Sequence, residues 1–284
     1  MILKDAKGFP LASFCAIIFF MKNITVQCPA KINLSLKIIN KRPDGYHNID
    51  SIMQTINLFD YLEIETELCK DFGIYLNGNS NEIPYDETNL VYKAAKMFYE
   101  SINKKDVKTK IYINKSIPVS AGLAGGSTDA AGTLYGLNRL YNNILTDEQL
   151  HKLCAKLGSD LNVCLKGGKI KSSGRGEIIE QLHFKDFNLS LIKPIKLGIS
   201  AKEAYTKFSL KEKDLSRDEY KNDLEWAIID DYEELKYIKK RYPESIMTGS
   251  GSTYFLINDT FDQEENYWVC NNLKSVEYGV KEKP

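Results

Sequence analysis

The sequence is poor in the residues that several kinds of chemistry require. It holds three histidines, His47, His151 and His183, with no HExxH stretch and no paired-histidine spacing, which argues against a zinc hydrolase. Its six cysteines (Cys15, Cys28, Cys69, Cys154, Cys164 and Cys270) form no CxxC pair and are scattered through apolar pattern. Buried thiols in a reducing cytoplasm are expected, not disulfides or a metal cluster. Neither sign of charge is in excess, with 38 Lys and Arg against 38 Asp and Glu. Nothing in that balance points to a nucleic acid or an anionic membrane as partner, so local groups must do any phosphate binding. The N-terminal apolar run Leu11 to Phe20 stops at ten residues, too few to span a bilayer as a helix.

What the sequence does hold is a polar, glycine-rich stretch, KSIPVSAGLAGGSTDAA, from Lys115 to Ala131. Gly122, Gly125 and Gly126 let the backbone approach a ligand closely, and Ser127, Thr128 and Asp129 suit the first turn of the apolar helix that follows. The unpaired N–H groups and positive dipole end of that helix then face the loop, an arrangement that binds phosphate. Many glycine-rich turns before helices hold no nucleotide, so the loop alone leaves both readings open. It is neither a Walker A motif, lacking a closing Gly-Lys-Ser/Thr, nor a GxGxxG dinucleotide frame.

Periodicity supplies the surrounding elements. Ile32, Leu34, Leu36 and Ile38 alternate with Asn33, Ser35 and Lys37, which predicts a half-buried strand with Lys31 and Asn33 on the opposite face. Leu62 and Ile64, then Ile111 and Ile113, predict two more. Val91, Ala94, Ala95 and Phe98 fall at helical spacing with Thr88 placed to cap them, and a helix is expected from Ser127 to Tyr141. Thr146 and Gln149 form a capping-box pattern for a helix ending at Gly158, which leaves Asp160 on a turn. A second unit begins near Leu182, with a strand at Leu189 to Pro194, a helix around Glu203, a helix from Glu225 to Arg241, and strands around a glycine turn from Ser245 to Ile257. This mixture predicts an α+β architecture of two units, residues 21–181 and 182–284.

Beside the glycine loop stand CPAKINLSLKIINKRPDGYHNIDSIMQTI (Cys28 to Ile56), NLVYKAA (Asn89 to Ala95), LGSDLNVCLKGG (Leu157 to Gly168), GRGE (Gly174 to Glu177), NDLE (Asn222 to Glu225) and MTGSGSTYFLI (Met247 to Ile257). Seven segments in this order resemble the GHMP kinase superfamily. Within it, PAKINL followed by DGYH resembles the branch acting on 4-diphosphocytidyl-2-C-methyl-D-erythritol. The resemblance implies a two-domain GHMP kinase fold, with an N-terminal domain like ribosomal protein S5 domain 2, a C-terminal ferredoxin-like domain, and an active site in the cleft between them. Because it begins near Met21, residues 1–20 are expected to be an upstream extension from a mis-assigned start codon.

The resemblance also implies roles. Asp160 matches the aspartate that orients and deprotonates the acceptor hydroxyl, and Lys31 the lysine beside it. Phosphoryl transfer depends more on such positioning than on base strength. Pro118, Val119, Ser120, Ala121, Gly122, Leu123, Ala124, Gly125, Gly126, Ser127 and Thr128 would hold the phosphates of ATP, with the hydroxyls of Ser127 and Thr128 offered to phosphate or Mg²⁺. Asn89 and Lys115 would lie near the adenine. Tyr46, His47 and Tyr205 would stack on and read the acceptor's cytosine, with Asn33 at its hydroxyls or phosphate. A small-molecule, cytidine diphosphate-linked substrate is therefore the expected partner, without nucleic acid or membrane.

The sequence departs from the family pattern at Leu161, Asn162 and Val163, where Val-Pro-Phe is usual, and at Lys169, Met53, Ala201 and Ser252. Losing the proline removes a fixed φ beside Asp160. Two other functions stay open at this point: a kinase for another alcohol such as homoserine or mevalonate, and a nucleotide-binding protein of this fold that has lost catalysis. DGYH counts against the first, since those acceptors have no base to stack.

Overall fold

A computed structural model describes residues 21–212 and 215–284. The expectation for residues 1–20 lies outside them. Two sheets carry the fold. β1 (Lys22–Lys41) and β2 (His47–Leu68) form a long antiparallel pair, followed by β3 (Gly73–Gly78), α1 (Leu90–Ser101), β4 (Val107–Asn114), α2 (Gly125–Leu140), α3 (Asp147–Leu157), α4 (Leu161–Lys166), β5 (Lys169–Ser173) and β6 (Ile178–Gln181). The chain then builds a second unit from β7 (Asn188–Pro194), α5 (Ala201–Leu210), α6 (Asp223–Ile228), α7 (Glu233–Arg241), β8 (Ile246–Met247), β9 (Tyr254–Ile257) and β10 (Tyr267–Lys274). It does not stay there. β11 (Lys281–Glu282) returns to pair with Val26 and Gln27 of β1. The first sheet runs β11-β1-β2-β4-β3, with β5 also paired to β2 and β6 to β5, and the second runs β10-β7-β9-β8 with antiparallel neighbours throughout.

The predicted alternation in β1 is interrupted. Register shifts between Asn33 and Ser35, bracketing Leu34, and this bulge re-aims the strand. Ile24, Val26 and Cys28 pack in the core under the first sheet, Ile32 joins an apolar cluster shared with Leu189, Leu191 and Phe255 of the second sheet, and Leu36 and Ile38 pack in the second unit's core beside Trp226. One strand thus serves three clusters. Lys31 and Asn33, expected on a half-open face, are buried as well.

Three expectations need correction. Asn89, not Thr88, caps α1: its Oδ1 accepts from the Val91 N–H at 2.9 Å, while Thr88 bonds back to Asp86. α2 begins at Gly125, two residues before Ser127, because the glycines enter the helix itself. The helix expected over 225–241 is two, α6 and α7, joined by a 3₁₀ turn at Ile229–Asp231. Trp226 to Ile229 are four consecutive apolar residues, which no single helix face can bury together, and α6 is buried on all sides whereas α7 buries only Leu235 and Ile238. The capping box of α3 and the helix around Glu203 form as predicted.

Candidate active site

The glycine loop joins β4 to α2 and is fastened from below. Asp60 Oδ1, on β2, accepts the N–H groups of Ser116 at 2.6 Å and Ile117 at 2.8 Å, fixing the loop's entry. Lys115 folds back beneath it, with Nζ bonded to Asp60 Oδ2 and to Asp129 Oδ2 at 2.9 Å. Burial opposes the Lys115 charge, and the two carboxylates overcome that and hold its pKa above the ordinary value. Burial pushes the Asp129 carboxyl up to about 7, against the attraction of Lys115 and with Asp60 adding to the rise. Ser120, Gly122 and Ala124, every second residue, have positive φ (51°, 73° and 59°), and such alternation turns successive N–H groups toward one centre. Gly122 admits no side chain, since a Cβ there would lie 2.1 Å from the Thr248 carbonyl oxygen.

That contact brings the second unit's glycine turn onto the loop. Thr248 Oγ1 accepts the Asn33 N–H at 3.0 Å and donates within reach of Asn33 Oδ1 (3.3 Å) and the Gly122 carbonyl (3.2 Å). Asn222 holds the turn from behind, donating to the carbonyls of Met247 (2.7 Å) and Gly249 (2.9 Å). Lys31 lies at this junction, 3% exposed, and donates to Asn33 Oδ1 at 2.7 Å and the Gly122 carbonyl at 3.0 Å. Its Nζ is 3.6 Å from Asp160 Oδ2, and the Asp160 side chain, 31% exposed at the start of α4, faces open space.

Across the cleft, His47 stacks on Tyr205 with ring centroids 5.1 Å apart and 20° between planes, and its Nε2 is 3.1 Å from Ser209 Oγ. Burial, with a smaller push from Lys41, holds the imidazole below its usual pKa. Burial raises the Tyr205 phenol, with the Asp160 carboxylate adding to it. Tyr46 stands 53% exposed beneath the Arg175 guanidinium, which lies 4.9 Å from its ring centroid.

Loop, Lys31–Asp160 pair and aromatic group share one cavity of about 1010 Å³. A curated relative from Clostridium tetani, named 4-diphosphocytidyl-2-C-methyl-D-erythritol kinase, is 40% identical over 265 residues, covering 85% of this chain and 93% of its own length. One of the same name from Bacillus subtilis is 40% identical over 255 residues, covering 82% and 87%. The chain belongs to the 4-diphosphocytidyl-2-C-methyl-D-erythritol kinase family. The family model for the GHMP kinases N terminal domain matches residues 89–168. A crystal structure of 4-(cytidine 5'-diphospho)-2C-methyl-D-erythritol kinase superposes with a TM-score of 0.66 at 29% identity, covering 82% of this chain and 89% of that one. A homoserine kinase from Cytophaga hutchinsonii gives 0.70 at 16% identity, covering 92% and 97%, and so shares the fold.

The cavity wall contains every candidate catalytic and binding residue named from sequence except Thr128. Thr128 is fully buried on α2, which leaves Ser127 as the hydroxyl of that pair reaching the cavity. Asn89 reaches the wall with its amide already engaged, Oδ1 by Val91 N–H and Nδ2 by the Pro84 carbonyl at 2.6 Å. Lys115 lies under the loop, its ammonium taken by two carboxylates. Arg175, Lys41, Lys202, Gly249 and Ser250, which also line the cavity, were not singled out from sequence, and Asp129 was read only as a first-turn residue. Lys41, Arg175, Gly249 and Ser250 lay within segments quoted for their resemblance, and Asp129 within the loop itself. The five cysteines among the described residues are free thiols, Cys69 and Cys270 only half-buried, and no cluster of three or more His, Cys, Asp or Glu among those residues could hold a metal.

Proposed function

We propose that this protein transfers the γ-phosphoryl group of ATP to the 2-hydroxyl of 4-diphosphocytidyl-2-C-methyl-D-erythritol, a step of the non-mevalonate route to isoprenoid precursors. The observation that carries the reading is the Lys31–Asp160 pair, 3.6 Å apart, set between a phosphate-type loop and an aromatic group in one cavity. The loop N–H groups and the N-terminus of α2 hold the phosphates. Lys31, oriented by Asn33 and the Gly122 carbonyl, puts a positive charge where the transferred group carries negative charge. Asp160 accepts the hydroxyl proton and aims the oxygen in line. Tyr46, His47 and Tyr205 bind the cytosine. Asn33, with its amide committed to Lys31 and to Ser51 at 2.9 Å, acts on the acceptor chiefly by setting Lys31.

Mg²⁺ fits here as a companion of ATP. The Ser127 hydroxyl is the donor on this chain, and an ion held mainly by phosphates and water needs no protein cage. When bound, it would neutralise phosphate charge. The order of the second sheet, fourth-first-third-second in its own chain order with antiparallel neighbours, supports the ferredoxin-like reading of residues 182–284, and α1 and α2 packed on the first sheet support the S5 domain 2-like reading of 21–181.

The test is ADP release from ATP and Mg²⁺ with the cytidylyl acceptor, beside parallel reactions offering homoserine or mevalonate. Turnover confined to the cytidylyl compound is expected. Turnover with homoserine or mevalonate in its place would overturn the reading.

A further inference from the structure

The Gly174–Glu177 turn between β5 and β6 has no part in the mechanism above, yet it touches both ends of it. The Gly174 carbonyl accepts the Ile49 N–H at 2.9 Å, two residues past His47. Gly176, at φ 121°, packs so closely on Ser159, the neighbour of Asp160, that a Cβ there would lie 3.1 Å from the Ser159 Cβ. The Glu177 carbonyl accepts Asn162 Nδ2 at 2.8 Å, and Asn162 Oδ1 meets His151 Nδ1 at 3.0 Å. The buried Asn162 therefore ties the turn to α3 and α4. Glu177 Oε2 accepts the Arg175 N–H at 2.6 Å, and Arg175 Nη2 reaches the Ala155 carbonyl at 3.4 Å. From this pinned base the Arg175 guanidinium lies over the Tyr46 ring.

We propose that Arg175 is a specificity-determining residue for the acceptor, holding the exposed Tyr46 ring as a fixed platform for the acceptor's base. The inference rests on the cytidylyl reading of the site. A half-exposed tyrosine loses rotational freedom when a base stacks on it, and a guanidinium already laid over the ring removes most of that loss beforehand. A planar guanidinium can do this across the whole ring, whereas an ammonium is a point charge. The same turn abuts Ser159, so it braces both the platform and the neighbour of the general base.

Steady-state kinetics with ATP and 4-diphosphocytidyl-2-C-methyl-D-erythritol test it through Arg175→Ala, Arg175→Lys, Tyr46→Ala and the double variant. Arg175→Ala should raise the acceptor KM about ten-fold and change the ATP KM less than about two-fold. Arg175→Lys should recover only part of the loss. In the Tyr46→Ala background, Arg175→Ala should add less than about two-fold, because both act through one contact. An unmoved acceptor KM, an equal rise for ATP, or effects that multiply in the double variant would overturn the inference. If Arg175→Ala fails to fold, Arg175→Gln carries the same readings. Absence of wild-type turnover defeats the cytidylyl reading itself, while wild-type turnover with an unmoved KM ratio defeats this inference alone.

Discussion

Lys31 meets groups from three separate stretches of chain: Asn33 on its own strand, the Gly122 carbonyl in the glycine loop, and Asp160 ahead of α4. Because the first two contacts survive loss of the carboxylate, Asp160→Ala should keep its fold and bind a non-hydrolysable ATP analogue within about three-fold of wild type, while turnover falls about a thousand-fold. Calorimetry beside an ADP-release assay separates the two, and retained turnover would sink the assigned role. His47 supplies a pH signature. Its folded pKa lies below the ordinary 6.5, so as pH falls through 6.5 the unfolded chain takes up the proton first. The stability held by the neutral ring is therefore present above 6.5 and lost as pH drops toward the folded value. If the neutral ring reads the base, the acceptor KM should stay flat from about pH 8 down to 6.5 and climb only at lower pH. A rise already complete at pH 6.5 would contradict that. The identities of these residues were legible from motif order, but their pairing was not, since distance along a chain carries no geometry. Nor did sequence reveal that Lys115 would be neutralised beneath the loop or that Thr128 would point into the core.

At the scale of elements, α2 lies close on the first sheet because Gly132 and Gly136 face it. A Cβ at Gly132 would sit 2.4 Å from Cys28 Sγ, and one at Gly136 would sit 2.7 Å from Ile64 Cδ1. Gly132→Ala should therefore cost about 1–3 kcal/mol, read as a lower urea midpoint, despite alanine's better helix propensity. Adding Cys28→Ala should return part of it; a Gly132→Ala protein as stable as wild type would refute the close approach. Elements with a sustained period, such as β4, α1 and α3, were readable in the sequence. β3, β10 and β11 were not: β10 is mostly half-buried along its length, and β11 is two residues long. α4 has six residues, too few to show a period, and so the sequence placed Asp160 only on a turn.

At the scale of the molecule, the second unit is inserted between β6 and β11 and joined to the first at both ends. Val280 packs in the first core, its N–H bonds the Cys164 carbonyl at 3.0 Å, and the Lys283 N–H bonds Thr25 at 2.8 Å. Removing Val280 to Pro284 should destabilise the protein by about 2–4 kcal/mol in urea unfolding, through one buried valine and several backbone bonds. An unchanged midpoint would show that β11 contributes nothing. This return had no signal in the sequence, because a two-residue strand is recognisable only by its partner. β1 adds a further tie, running unbroken from the first core into the second, where its Leu36 N–H bonds the Lys221 carbonyl at 2.9 Å and its Ile38 N–H bonds Asp223 at 2.6 Å. Two lobes joined by a single linker drift freely in relative orientation, whereas lobes tied by two crossings and a common strand move only by bending that strand where it passes between the cores. The strand that carries Lys31 and Asn33 is therefore the axle of the cleft, and any change in the cleft's width is felt first at those two residues.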